Sequence, residues 1–359
     1  MKLTELPVEG YEKVIHCEDH ASGLKAFISV HDTTLGPALG GVRMWSYASE
    51  RQAFTDVNRL AKSMTYKSIM ADTGRCGGKA VVIGNPQTDK SASLLRALGH
   101  FIDVLEGLYI AGEDVGITVD DLCIVRQTTR FVGGLPREWG SSGNPALLTA
   151  LGVFLGMRAS LERKLGTGDF TGVRVAVQGC GNVARHLCKP LHEAGAVLIV
   201  TDTVPERARL MAEQYAARVV APEDIYDVEC DIHAPCALGE TLNDTTIPRL
   251  KCQIVAGSAN NQCLTLEHGD HLHQRGILYA PDFVINAGGV INIAVELEPE
   301  GYNEARALAK GHRIYNTVQD VFDMAEHDNI ATNRAALILA ERKLAAARQR
   351  KESASVNGW

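Results

Sequence analysis

The sequence predicts two α/β domains, the second built on a mostly parallel, doubly wound sheet. Three observations carry this reading. The 359 residues are enough for two hydrophobic cores. From about residue 172 onward, strand-like and helix-like segments alternate regularly. A turn-rich stretch at 133–145 (GGLPREWGSSGNP) separates that half from a first third in which β-like runs and helical periodicity also alternate. The expected division is 1–135 and 136–330, with a C-terminal helix at 331–359 that can return to the first domain. Residues 133–145 are the expected hinge, because few contacts need cross such a segment.

The elements follow in order. LKAFISV (24–30) and KAVVI (79–83) have strand composition. Phe54, Val57, Ala61 and Met64 recur at spacings of three and four, which predicts an amphipathic helix over 49–64. Between helix and strand lies TGRCGGK (73–79), where glycines let the backbone turn sharply and approach a ligand. After the hinge come a helical run (TALGVFLGMRASLERKL), a strand (VRVAVQG), a helix over 183–194, a strand (AVLIVTD) and a helix (ARLMAEQYA). Short strands are expected at DIHAPCA, QIVAGSA and ILYAPDFVIN. Beyond Asn303 the pattern is helical to about Arg350, with KESASVNGW as a frayed tail.

Composition narrows the class. Apolar residues make up 45 % and charged residues 22 %, which excludes disordered and fibrous classes. The net charge of −7 argues against a nucleic-acid-binding surface. No run of eighteen apolar residues exists and the first residues are rich in Glu, so neither a membrane span nor a signal peptide is expected, and the chain is read as cytoplasmic. Nine cysteines without dense spacing read as free thiols in a reducing compartment. His186, Cys188 and His192 lie close in sequence but lack a second ligand pair, so they read as ordinary helix residues and no metal site is expected.

The clearest signal is VAVQGCGNVARHLCKPLHEAGAVLIVTD. A β-run ends at Gly179; Gly179, Gly181 and Ala184 satisfy GxGxxG/A; a helix follows, and the next strand ends at Asp202. Gly179 permits the tight turn, Gly181 admits a pyrophosphate near the backbone, and small Ala184 lets helix and strand pack closely. The phosphates then sit at the helix N-terminus, among the N–H groups around Cys180, Asn182 and Val183. Asp202 lies 21 residues after Gly181, where a carboxylate accepts bonds from the adenosine ribose and repels a 2′-phosphate. These residues predict an NAD site in a Rossmann-type domain.

In the first domain, Lys67 (SMTYKSIM) and Lys79 stand among apolar and glycine residues, where partial desolvation lowers an ammonium toward the range of a general base. Most lysines are instead solvated surface groups. Asp114, at the end of a β-like run in LYIAGEDVGITVDD, is a third candidate, with helix or turn capping as the alternative.

The segments TLGPALGGVRMW (34–45), MTYKSIMADTGRCGGKAVVIGNP (64–86), AGEDVG (111–116), GCGNVARHLC (179–188), DIHAPCALGETLND (231–244) and ILYAPDFVINAGGVINIAVEL (277–297) match a family in order along nearly the whole chain. They resemble the leucine, valine, phenylalanine and tryptophan dehydrogenases, the smaller branch of the glutamate dehydrogenase superfamily. The resemblance implies reversible NAD-dependent oxidative deamination of an L-amino acid to a 2-oxo acid and ammonia. It also implies an N-terminal substrate-binding and oligomerisation domain, an NAD-binding domain, a cleft that closes between them, and a homo-oligomer of two to eight chains.

By the same resemblance, Lys67 binds the substrate α-carboxylate, Lys79 is the base that activates water, and Asp114 relays protons at the substrate nitrogen. Asn260 lies beside nicotinamide and substrate, Thr149 and Asn286 lie near the nicotinamide, and Cys236 with Ala237 contact the cofactor. Leu39, Gly40, Met64, Gly112, Val290 and Ile293 line the side-chain pocket. Glutamate-specific relatives carry a lysine at the position of Leu39, so an unpaired glutamate side chain is disfavoured here by several kcal/mol, roughly. Gly112 stands where leucine-type relatives carry alanine and phenylalanine-type relatives glycine, and Asn144 also resembles the latter. VAVQGCGN and IYDVECDIHAPCALG resemble tryptophan dehydrogenases. The expectation is an aromatic substrate, Phe or Trp, ahead of a branched aliphatic one.

Departures from the family pattern are Arg75 and Cys76 before the two glycines, PALLT at 145–149, and Glu240 in APCALGE. Arg75 adds a cation near the expected base, which lowers a lysine pKa further and alters pH dependence. These departures keep open a second reading, a non-catalytic NAD-binding regulatory relative.

Overall fold

The computed structural model describes residues 1–356. The chain divides into two compact units. The first holds Met1–Pro145, Val290–Ala307 and the chain from Ala340 on, and the second holds Ala146–Gly289 and Leu308–Leu339. The break thus falls at 145/146 rather than 135/136, and Val290–Ala307 belongs with the first unit rather than the second. Both differences have one cause. The glycine-rich stretch is bonded into the first unit through Glu296, whose Oε2 accepts from the N–H groups of Gly134 (3.1 Å) and Ser142 (2.9 Å). Partners more than 150 residues apart leave no local trace in a sequence.

In the first unit, β1 (Lys2–Glu5), β2 (Lys13–Asp19), β3 (Leu24–Val30), β4 (Ala38–Trp45), β5 (Cys76–Ile83) and β6 (Tyr109–Glu113) form one sheet in the order β1-β2-β3-β5-β4-β6. β1, β2, β3 and β5 pair antiparallel, whereas β4 runs parallel to β5 and β6. Period-two alternation sorts the strand residues between two faces. Ala26, Ile28, Val42, Met44, Ala80 and Val82 enter the core with Leu94, Leu95 and Leu98 of α2 (Ala92–Asp103) and Leu122 of α3 (Val119–Val125). Phe27 and Val81 meet Ala53 and Val57 of α1 (Glu50–Met70) on the other face.

α1 starts where expected, capped by the Ser49 side chain accepting from the Gln52 N–H, but it runs to Met70 rather than stopping at residue 64. Nothing breaks it until Asp72 and Gly74 take left-handed φ of 51° and 68°, so Lys67 lies in its last turn. The run Cys76–Gly78, expected in a turn, is already strand. Its glycines are needed for packing: a Cβ at Gly77 would lie 2.0 Å from the Thr65 nitrogen of α1, and one at Gly78 2.7 Å from the Tyr109 ring.

The second unit opens with α4 (Ala146–Leu165) after Pro145. Then β7 (Arg174–Gln178), α5 (Asn182–Glu193), β8 (Val197–Thr201), α6 (Pro205–Tyr215), β9 (Arg218–Val219), β10 (Ile232–Pro235), β11 (Ile254–Val255), α7 (Leu266–Gln274) and β12 (Leu278–Tyr279) build a sheet in the order β12-β11-β10-β7-β8-β9. Every pair is parallel. The order reverses between β7 and β10, so a crevice opens at their carboxyl ends, beyond Gln178 and Pro235. In the expected strand ILYAPDFVIN only Leu278–Tyr279 is strand; Pro281 lacks the N–H a ladder needs, and Asp282–Ile285 turns helical as α8.

Four helices complete the chain: α9 (Gly288–Glu296), α10 (Glu304–His312), α11 (Ile314–Asp328) and α12 (Thr332–Val356). α12 carries helix through residues 351–356, expected to fray; the last three residues of that tail lie outside the described residues. Among the described residues no helix is long and apolar enough to cross a membrane, and all nine cysteines are unbridged.

Candidate active site

β5 presents Lys79 on the α1 face, 5 % exposed. Its Nζ meets Asp114 Oδ2 at 2.6 Å. Asp114 sits just past β6, where its backbone bridges to Ile117 and its carboxylate turns back toward β5. The same Oδ2 accepts from Arg43 Nε at 3.0 Å. Arg43, on β4, also donates to Asp56 of α1 at 3.3 Å, and Asp56 is held by the Tyr47 hydroxyl (2.6 Å) and Arg59 (2.9 Å). A single carboxylate oxygen thus faces two cations.

The electrostatics follow. Burial lowers the Lys79 pKa below the ordinary lysine value; Asp114 opposes this, and Arg43 adds to it. Burial alone would raise Asp114, but Lys79 and Arg43 outweigh it and hold the carboxyl at about 2. The pair therefore joins an ammonium that releases its proton more readily than usual to a carboxylate that stays ionised.

Arg43 was not among the expected site residues, although a cation between Val42 and Met44 in a strand is a legible signal that it needs a buried anion. Arg75, expected to be the extra cation near Lys79, points elsewhere. Its Nη2 donates to the Leu297 carbonyl at 2.9 Å, beyond the end of α9. Cys76 is buried, its Sγ 3.3 Å from Asp32 Oδ1, and burial pushes its thiol up to about 12, so it is an inert packing residue.

The other first-unit residues gather on neighbouring elements. Lys67 is half-buried in the last turn of α1, and Met64 lies one turn earlier. A Cβ at Gly40 would meet the Gly78 carbonyl of β5 at 1.8 Å and Met64 Cγ at 3.4 Å, so only glycine lets β4 lie against β5 there, with Met64 of α1 in contact above. Leu39 is buried opposite Gly77 and Ile110. Ile293 of α9 reaches the β6 side: a Cβ at Gly112 would lie 3.3 Å from its Cδ1, and one at Gly134 3.4 Å. Val290, one turn earlier on α9, is buried.

In the second unit, Gly179 takes φ +98°, and a Cβ there would meet that of Ala237 at 2.7 Å. Gly181 caps α5 and opens onto free space, with nothing within 4 Å of where its Cβ would stand. Asn182 and Val183 begin the helix, and buried Ala184 packs beneath. Asp202 follows β8; its Oδ2 accepts from the Cys180 N–H (2.7 Å) and its Oδ1 from the Val204 N–H (2.8 Å). Each oxygen keeps a further lone pair for a ribose hydroxyl. Cys236 follows β10, its N–H donating to the Gln178 carbonyl.

Asn286 Nδ2 donates to Asn260 Oδ1 (2.9 Å) and to the Ser258 carbonyl (3.2 Å), while Asn286 Oδ1 is buried without a hydrogen-bond partner. A buried orphan acceptor next to Asn260 is what a carboxamide donor would satisfy. Thr149 is buried in α4, where Gly288 packs against its backbone nitrogen. The open cradle at Gly181 and the orphan at Asn286 fit the pyrophosphate and the nicotinamide carboxamide of a nicotinamide dinucleotide.

Glu240, where the family pattern has glycine, takes φ +62°, a left-handed conformation that glycine adopts without strain. His186 is exposed and Cys188 buried on α5.

Comparison with known proteins agrees with this architecture. The family model described as "Glu/Leu/Phe/Val dehydrogenase, dimerisation domain" matches residues 11–131. That described as "Glutamate/Leucine/Phenylalanine/Valine dehydrogenase" matches 140–204 and 200–351. A leucine dehydrogenase from Bacillus cereus is 53 % identical over 97 % of this chain and 94 % of its own length. A phenylalanine dehydrogenase from Bacillus thermotolerans is 44 % identical over 94 % and 89 %. The crystal structure of L-tryptophan dehydrogenase from Nostoc punctiforme superposes with a TM-score of 0.83 at 43 % identity, covering 95 % of this chain and 97 % of that one. With both family models matched in order across nearly its whole length, the chain belongs to the Glu/Leu/Phe/Val dehydrogenase family of NAD(P)-dependent amino-acid dehydrogenases.

Proposed function

We propose that the chain catalyses NAD-dependent oxidative deamination of a hydrophobic L-amino acid to the 2-oxo acid and ammonia, and the reverse reductive amination. The observation that carries this reading is the buried Lys79–Asp114 pair, a lysine with a lowered pKa against an ionised carboxylate. Lys67 binds the substrate α-carboxylate as a point charge. Bound nicotinamide would supply the hydride acceptor for the substrate Cα, which leaves the substrate at the imino-acid level. Neutral Lys79 then removes a proton from the water that adds to the imino carbon, and the Asp114 carboxylate, bonded to Lys79, relays that proton to the departing nitrogen.

Thr149, Asn260 and Asn286 position the nicotinamide end. The N–H groups at the start of α5, from Gly181 to Val183, take the pyrophosphate, with Cys236 and Ala237 alongside. Asp202 supports NAD over NADP, because a carboxylate repels a 2′-phosphate.

Leu39, Gly40, Met64, Gly112, Val290 and Ile293 offer no charge to a substrate side chain, which disfavours glutamate. Within the hydrophobic class, the structure favours a branched aliphatic side chain: the space that Gly112 leaves is taken by Ile293 Cδ1. The 53 % identity to a leucine dehydrogenase points the same way. The aromatic reading rests on Gly112 itself and requires Ile293 to adopt another rotamer. The match of residues 11–131 to a dimerisation-domain model supports a homo-oligomer, and unbridged cysteines support a reducing, cytoplasmic setting.

The test is reduction of NAD with a panel of L-amino acids at alkaline pH, alongside Lys79→Ala. Lys79→Ala is expected to lose about a hundredfold or more in kcat while still binding NAD. Full turnover in that variant would remove the base assignment. Absence of reduced nicotinamide with every amino acid would favour a non-catalytic NAD-binding relative.

A further inference from the structure

The second unit brings three metal-ligating side chains together away from the residues above: Asp244, in the loop before Ile247–Arg249, and His268 and His271, one turn apart on α7. Their ligand atoms all lie within 4.8 Å of one another. Asp244 Oδ1 is 3.3 Å from His268 Nε2 and 3.8 Å from His271 Nδ1. His268 is only 4 % exposed, yet its Nε2 has no hydrogen-bond partner and points at this gap. A buried nitrogen without a partner calls for one.

Local structure holds all three in place. Asn243 Oδ1 accepts from the Thr245 and Thr246 N–H groups (3.0 and 3.2 Å), which fixes the loop that carries Asp244. His268 caps its own helix, with Nδ1 3.1 Å from the Thr265 nitrogen and 2.9 Å from Thr265 Oγ1. Arg275, the nearest cation lining the adjoining cavity of about 220 Å³, turns its guanidinium to the carbonyls of Ile247 and Leu250.

We propose that Asp244, His268 and His271 bind a divalent transition-metal ion of the zinc type. Two imidazole nitrogens and one carboxylate oxygen are a donor set that suits zinc with an open position for water, whereas calcium and magnesium take mainly oxygen ligands. His268 binds through Nε2, its ring proton passing to Nδ1, where Thr265 Oγ1 accepts it. A hydrogen bond on the far nitrogen is the usual means of orienting a ligating histidine. The exchange takes an acceptor from the Thr265 N–H, a cost the metal bond must exceed. Asp244 is 79 % exposed, so the ion exchanges with solvent.

The full chain, reduced and freed of metal by chelation, is titrated with Zn²⁺ by calorimetry and with Co²⁺ by absorption spectroscopy. We expect one ion per chain and a cobalt spectrum without thiolate charge-transfer bands. Asp244→Asn and His271→Ala, each at an accessible position that caps no helix, should weaken binding at least about tenfold, since losing a group that merely orients a ligand already costs that much. His273→Ala, on the same helix outside the trio, should bind as the parent does. Failure to bind either ion, affinity unchanged in both variants, or thiolate bands marking the ion as cysteine-bound would each overturn the assignment.

Discussion

Replacing Arg43 by glutamine tests the electrostatics of the site most directly. Arg43 Nε and Lys79 Nζ bond the same Asp114 oxygen at 3.0 and 2.6 Å, so they lie no farther apart than those bonds end to end, about 5.6 Å. At an effective dielectric constant of about 20, two like unit charges at that separation repel by about 3 kcal/mol, which favours loss of the Lys79 proton. Arg43→Gln removes this repulsion, and Asp56 keeps its bonds to Tyr47 and Arg59, so the fold survives. The sign is unambiguous. Neutral Lys79 is the active form; raising its pKa leaves less of it at any given pH, so the rising limb of kcat/KM for oxidative deamination moves to higher pH. The assay is initial-rate formation of reduced nicotinamide across the alkaline range, for parent and variant. The parent limb should lie below the ordinary lysine value of about 10.4, and the variant limb at higher pH than the parent's. Asp114→Asn removes an attraction and should move the limb the opposite way. A limb unmoved in Arg43→Gln, or displaced toward acid, would refute the account of how Lys79 is tuned.

Gly112→Ala places a methyl 3.3 Å from Ile293 Cδ1 and tightens the pocket; the ratio of kcat/KM for Leu over Phe should rise by about tenfold or more, the worth of one methylene. Asp202→Asn loses the charge and keeps an acceptor for only one of the Cys180 and Val204 N–H groups; discrimination of NAD over NADP, measured as a kcat/KM ratio, should fall at least about tenfold, because like charges brought together cost several kcal/mol.

Much of this protein is legible in its sequence because the underlying signals are local. The turn at Gly179, the helix start at Gly181 and the acid at Asp202 lie within one strand–helix–strand unit, whose periodicity and glycine spacing follow from backbone geometry alone. Lys79 and Asp114 could be picked out as a lysine among glycines and an acid closing a β-run. Only the tertiary structure set what acts on them. Arg43, 36 residues before Lys79 in the chain, becomes its electrostatic neighbour because β4 and β5 pair in parallel. Arg75, four residues from Lys79, is drawn instead to the end of α9. Charge interactions depend on distance through space, and a sequence orders residues only by distance along the chain. For the same reason the closeness of Ile293 Cδ1 to Gly112 within the expected pocket comes only from the fold, and the partners of Glu296 move the unit boundary to 145/146.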